Sequence, residues 1–170
     1  MLQWRPTMED TVRIVDVDLA DPAHAPALLT LLDHYARDPM GGGTPLSAYA
    51  RSHVTAGLAQ APGYHGALAW AGAEAIGLIN TFTGFSTFAA RPLLNIHDIV
   101  VHADWRGRGV GRRLLQWAEA RALALDCCKL TLEVLSGNAA IGLYRKAGFA
   151  PYVLDPAAGS AVLLQKILSA

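Results

Sequence analysis

The sequence predicts an α/β fold, in the sense of one mixed α+β domain, and three observations carry that reading. Short Val-, Ile- and Leu-rich runs of strand length alternate with longer runs of helical periodicity. A glycine-rich stretch joins an apolar strand-like run to a helix-like run, which is the order of a β-α-β crossover. The 170 residues are 52% hydrophobic and 16% charged, enough for one domain with a sizeable core and short for two. A single domain over residues 1–170 is expected.

Thr11 to Val17 alternates and is β-branched, so it reads as a strand. Asp21-Pro22 reads as an N-cap followed by proline at the first helical position. The helix would run to about Ala36 on an apolar stripe of Leu28, Leu29, Leu31, Leu32 and Tyr35. Asp38 to Pro45 breaks it, and a second helix spans Leu46 to Gln60. Strands follow at Tyr64 to Ala71 and Ala75 to Phe82, with a tight turn at Gly72-Ala73. Thr83 to Pro92 is a loop or strand extension, and Leu94 to His102 is the next strand. A helix from Gly109 to Leu125 and a strand from Lys129 to Leu135 complete a right-handed crossover. A helix from about Ala139 to Ala147 follows. Tyr152 to Leu154 and Ala161 to Ile167 are expected to pair as a closing hairpin across Asp155 to Ser160.

The run Arg106-Gly107-Arg108-Gly109-Val110-Gly111 has the makings of an anion trap. Glycines let the backbone curl around a phosphate with its N–H groups turned inward, and the helix behind adds its positive end. Its spacing excludes two familiar loops. A dinucleotide fingerprint needs G-x-G-x-x-G, but counting from Gly107 places Arg112 at the third glycine. A P-loop needs Gly-Lys followed by Ser or Thr, and that is missing.

What is present, R-x-x-G-x-G from Arg106 to Gly111, resembles the acetyl-CoA pyrophosphate loop of the GNAT superfamily of N-acetyltransferases, of bacterial type. Downstream, the strand-like Lys129 to Leu135, then Asn138, Ala140-Ile-Gly-Leu-Tyr144 and Gly148-Phe149, look like the second half of the same core. The resemblance runs from about Leu94 to Tyr152. It implies a GNAT fold: a mixed, mostly antiparallel central sheet with flanking helices. The strand before the glycine loop and the strand after the next helix would be parallel and splayed apart. The implied activity is transfer of an acetyl group from acetyl-CoA, the co-substrate, to a primary amine of a small molecule, amino acid or peptide. Direct attack in a ternary complex needs no protein nucleophile.

Carried onto this chain, the resemblance gives the pyrophosphate to the backbone of about Arg108, Gly109, Val110 and Gly111. Arg106, Gly107, Arg112 and Arg113 lie beside it. Pantetheine would pair like an extra strand with the backbone of Ile99, Val100 and Val101. The Ile99 N–H is the candidate for polarising the acetyl carbonyl. Tyr144 matches the family tyrosine near the sulfur; a phenol with a pKa of about 10 is protonated at neutral pH and can donate to the leaving thiolate. Asn138 stands six residues before that tyrosine, where the family asparagine stands seven before it, so it either reaches pantetheine or only caps the helix.

Asn95, His97, Asp98 and Glu133 are candidates for general base. On a regular strand Asn95, His97, Ile99 and Val101 share one face, and Ile96, Asp98, Val100 and His102 the other. His97 matches a histidine of the serotonin-acetylating arylalkylamine N-acetyltransferases. Asn95 stands at the glutamate position of the histone-acetylating branch, so that branch's base is absent. An imidazole suits proton removal at neutral pH. Asp98, Glu133 or ordered water are the alternatives, and Glu133 could instead pair with the substrate ammonium. The resemblance places the acceptor pocket at Tyr35, the Gly41–Gly43 loop, Tyr49, Phe82, Phe85, Phe88 and Tyr152.

The formal net charge of 0 argues against a nucleic-acid or membrane-surface binder. Adjacent Cys127 and Cys128 cannot make a disulfide framework and fit a reduced compartment. No long apolar run or signal-peptide pattern is seen, so a soluble, cytoplasmic chain is expected, as a homodimer if it assembles. His24, His34, His53 and His65 have no ligand spacing, and no metal is expected. Two rival readings are a non-catalytic acyl-CoA-binding sensor of the same fold and, less well supported, a dinucleotide-binding oxidoreductase fragment.

Overall fold

The structure is a computed structural model that describes residues 12–159 and 161–168. It divides into two compact units, residues 1–132 and 133–170. In the first, five strands form one sheet in sequence order. These are β1 (Val12–Asp16), β2 (Tyr64–Ala71), β3 (Glu74–Ser86), β4 (Arg91–Val101) and β5 (Leu130–Leu132). The first three pairings are antiparallel, and β4 with β5 is parallel. Thr11, read as the start of the first strand, lies outside the described residues.

Helix α1 (His24–Arg37) lies on one face of the sheet. Its Leu28 and Leu31 join Leu68, Leu78 and Val100 in a core cluster, with Leu32 and Tyr35 packed against it. Burying one such leucine contributes about 1.5–3 kcal/mol. The helix starts later than Asp21-Pro22 suggests. Asp21 accepts from the Ala23 N–H at 2.8 Å and closes a turn before the helix, and Ala23 itself occupies the cap position. Helix α2 (Ala48–Gln60) begins where Ser47 Oγ accepts from the Ala50 N–H at 3.1 Å. Helix α3 (Val110–Ala124) covers the other face. It can come close because β3 has glycine there: a Cβ on Gly77 would lie 3.2 Å from Leu114 and Val110 side-chain atoms.

Three strands extend beyond the sequence reading or fall short of it. Thr83 to Pro92 is mostly strand: β3 runs on to Ser86 and β4 starts at Arg91. By contrast β5 stops at Leu132 instead of continuing to Leu135.

Strand β4 is not regular. Asn80 of β3 faces Asp98, but its neighbour Thr81 faces Ile96, so His97 is an extra residue in a β-bulge. Val100 shares the face of its partner Leu78, whereas Ile96 shares the face of Thr81, three residues on. The bulge therefore switches the two sides of the strand.

The second unit contains α4 (Ile141–Lys146) and a short 3-10 turn at Pro156–Ala158, where Asp155 accepts from the Ala157 N–H at 2.9 Å. The expected closing hairpin is corrected here. Tyr152 to Leu154 and the described part of 161–167 form no strands, Ser160 lies outside the described residues, and the apolar side chains of both runs are exposed. Apolar content alone does not make a strand; the ladder needs a paired neighbour.

Candidate active site

The strand, bulge and glycine loop assemble a site at one end of the first unit. Parallel pairing of β5 with β4 is confined to Leu94, Asn95 and Ile96. Beyond it β5 ends at Leu132 while β4 runs on to Val101. Ile99, Val100 and Val101 pair with β3 on one edge and have no strand on the other among the described residues. Val101 leads through a 3-10 turn (Ala103–Trp105) into the loop. Gly107 and Gly109 have φ of +76° and +80°, a left-handed backbone that other residues adopt at a cost. No described residue lies within 4 Å of where a Gly107 Cβ would point, so the backbone is open there to an approaching group. The first helical bond of α3 runs from Arg113 N–H to Gly109 C=O at 3.2 Å, so the N–H groups of Val110, Gly111 and Arg112 lie ahead of it. These features fit a diphosphate.

The arginines divide their work. Arg106 is not free to follow a phosphate: its Nε donates to the Val101 carbonyl at 3.2 Å and its Nη2 to Asp38 Oδ2 at 2.9 Å. Arg108 lies over the Trp105 ring at 5.1 Å, and Arg112 is exposed at the helix start. The Met40 N–H and Arg106 hold the Asp38 carboxyl below its ordinary range.

Beside the bulge is a cavity of about 360 Å³. Helix α1 supplies Leu32, Tyr35 and Ala36, and Leu46, Val54 and Leu58 close the opposite wall. Asn80, Phe82, His97 and Asp98 come from the sheet. The alternation expected of a regular strand would set His97 and Asp98 on opposite faces; the bulge brings both to this cavity. His97 meets Phe82 edge-on, centroids 5.6 Å apart. Asn80, 1% exposed, donates from Nδ2 to Asp98 Oδ2 at 3.0 Å and accepts from the Tyr64 hydroxyl at 3.0 Å. The direction is fixed because a carboxylate only accepts, which leaves the amide oxygen for the phenol. Burial, with the Asp98 charge second, raises the Tyr64 pKa and keeps it a donor. Burial, then Asp98 and Asp38, raise Tyr35 in the same way.

Asp33 ties the two helical walls together. It accepts from Arg37 at 2.9 Å, Arg51 at 2.6 Å and the Leu46 N–H at 3.0 Å. Led by the Arg37 hydrogen bond, these donors lower its pKa to about 2. Next to the loop, His34 and His102 stack with centroids 4.6 Å apart. Burial first, then the His102 and Arg106 charges, lower the His34 pKa.

Sequence reasoning missed Asn80, Tyr64, Asp33 and the aliphatic walls. It also named aromatics that lie elsewhere: Tyr49 is 73% exposed, Phe85 is 63% exposed, and Phe88 is fully exposed. None lines the cavity, whereas Tyr35, Gly41 and Phe82 do. Asn95 donates to Thr131 Oγ1 at 3.1 Å across the β4–β5 pair. In the second unit Tyr144 is 8% exposed and edge-on to Phe149, 6.2 Å away. Asn138 Oδ1 accepts from the Ala140 N–H at 2.8 Å, an Asx turn ahead of α4, whose cap position is Ala140. Tyr152 and Glu133 are exposed.

Comparison with known proteins gives one answer about the fold. The sequence profile described as "Acetyltransferase (GNAT) family" matches residues 28–149. An L-methionine sulfoximine/L-methionine sulfone acetyltransferase of Pseudomonas aeruginosa is 44% identical over 54 residues, 31% of this chain and 31% of that protein. The match therefore spans about a third of its length. An aminoglycoside acetyltransferase from an uncultured soil metagenomic sample superposes with a TM-score of 0.74 at 14% identity, over 96% of this chain and 100% of that one. A ribosomal-protein-alanine N-acetyltransferase from Brucella melitensis gives 0.68 at 20% identity, over 91% and 99%. At these identities the structural likeness establishes the fold.

Proposed function

The chain belongs to the acetyltransferase (GNAT) family, and on that premise we propose that it moves an acetyl group from acetyl-CoA to a primary amine by direct attack. The family generally uses acetyl-CoA as co-substrate. The observation that carries the reading is the strandless edge of Ile99–Val101 leading straight into the glycine loop. That edge offers backbone groups to pantetheine, and the loop offers N–H groups to a diphosphate. The family profile runs across the boundary between the two units, so we read 1–170 as one domain.

Bound acetyl-CoA supplies a thioester carbonyl and a thiolate leaving group. The Ile99 N–H is assigned to polarise the carbonyl. His97, at the bulge and on the cavity, is assigned as the base that takes a proton from the bound ammonium, directly or through water, and so frees the lone pair that attacks. Asp98, whose Oδ2 accepts from Asn80, is placed to pair with that ammonium. Tyr144 is assigned, on its motif, to return a proton to the thiolate. His97 passes the first proton of the ammonium on to solvent; as the nitrogen–carbon bond forms and the carbon–sulfur bond breaks, the sulfur receives a proton from the phenol, and the second nitrogen proton, leaving through water, restores the phenol.

The test is CoA release and an acetylated product of the right mass across a panel of primary amines. Tyr144→Phe should lower kcat by about 10–1,000-fold with little change in acetyl-CoA affinity, because the hydroxyl acts on charge that develops only during transfer. Wild-type turnover in that variant removes Tyr144 from the mechanism.

A further inference from the structure

We propose that the acceptor is a compact primary amine with an apolar body and no carboxylate, seated by its ammonium on Asp98. This rests on the acetyl-transfer reading and narrows its substrate. The cavity of about 360 Å³ lies at the small end of ligand sites, which run to roughly 300–1,000 Å³. Its walls are mostly aliphatic and aromatic, and Asp98 is the one acidic group lining it among the described residues. That carboxylate is aimed by a directional chain: Tyr64 donates to Asn80, and Asn80 donates to Asp98. Asn80 has no exposure to spare, so the chain is a fixed part of the floor. A carboxylate held this way is a ready counter-ion for an ammonium.

What the cavity lacks is equally specific. No Lys or Arg lines it among the described residues. The cations on its helical walls and at the neighbouring loop already have partners: Arg37 and Arg51 on Asp33, and Arg106 on Asp38. An α-amino acid would bring its own carboxylate beside Asp98, into mostly apolar surroundings, with no Lys or Arg among the described residues lining the cavity to meet it. Such a charge is strongly disfavoured. The same molecule without the carboxylate has no such conflict.

The experiment compares matched acceptors: 2-phenylethylamine with L-phenylalanine, and 3-(methylthio)propylamine with L-methionine. Turnover is read as CoA release and product mass, and binding separately by ligand-observed NMR. The amine of each pair is expected to show at least tenfold higher kcat/KM and to bind where the amino acid does not. Asp98→Asn should raise KM for the amine at least tenfold and shrink the preference, while the acetyl-CoA thermal shift is retained. Equal or better use of the amino acids, or an unchanged KM in Asp98→Asn, overturns the proposal. If no acceptor yields product, the acetyl-transfer reading fails. The binding arm still decides this inference: selective, Asp98-dependent binding of the amines supports it, and binding of the amino acids, or of neither, defeats it.

Discussion

Arg106 and Asp38, 68 residues apart in sequence, are joined by a 2.9 Å hydrogen bond between guanidinium and carboxylate. The bond fastens the segment after α1, which borders the cavity at Gly41, to the start of the glycine loop. Asp38→Asn should lower stability at pH 7 by about 0.2–1 kcal/mol, since Arg106 is half-exposed and solvent screens the pair. Because folding depresses the Asp38 pKa, its contribution is full above the ordinary carboxylate range. It is lost as the pH falls through the lowered value. Denaturant melts at pH 7 and in acid should therefore converge for mutant and wild type; a constant gap would assign the effect to something other than charge.

Gly109→Val tests the loop. A valine at φ +80° costs roughly 1–2 kcal/mol and puts a branched side chain where N–H groups must face the ligand. Tm should drop and the acetyl-CoA thermal shift should largely vanish. A folded variant with an undiminished shift shows that the diphosphate binds elsewhere.

His97→Gln tests the base. Wild-type kcat/KM should fall on the acid side as the base becomes protonated. The variant should lose that limb and turn over more slowly while still binding acetyl-CoA. An amine of known pKa separates the acceptor's own ionisation from the enzyme's. Identical limbs and rates in both proteins would make His97 structural.

Much of this fold was legible in the sequence because periodicity reports local structure. The strand and helix order from Val12 to Lys146 follows from alternation, from the α1 leucine stripe and from glycine turns such as Gly72. The glycine loop was legible for the same reason, its chemistry being written in adjacent residues. The cavity was less so. Asn80 and Asp33 matter through partners 13–18 residues away, which no local pattern encodes. The bulge leaves composition unchanged, so alternation set His97 and Asp98 apart when the fold brings them together. Aromatic content shows size but not direction, which is why Tyr49 and Phe88 were misplaced.

His34 predicts an acid sensitivity unrelated to catalysis. Burial and the neighbouring His102 and Arg106 depress its folded pKa below the ordinary 6.5. The unfolded chain therefore binds the proton first, and stability falls as the pH drops from about 6.5 through the lowered value. One proton accounts for at most about 1.4 kcal/mol per pH unit. His34→Gln should flatten the dependence of stability on pH between 7 and 5. An unchanged slope would place the titrating group elsewhere, with His65, also depressed chiefly by burial, the next to examine.

The extra residue in β4 has a consequence for how this strand can change. On either side of His97 the inward and outward positions follow two different reading frames. Leu94 and Ile96 keep one phase, Asp98 and Val100 the other. Exchanging the side chain at 97 alters only chemistry. Deleting the residue would merge the frames and turn one half of the strand inside out, carrying either two buried apolar residues or the Asp98–Val100 pair to the wrong side of the sheet. Position 97 can therefore vary in kind but not in number, and a shortened relative would need a different site altogether.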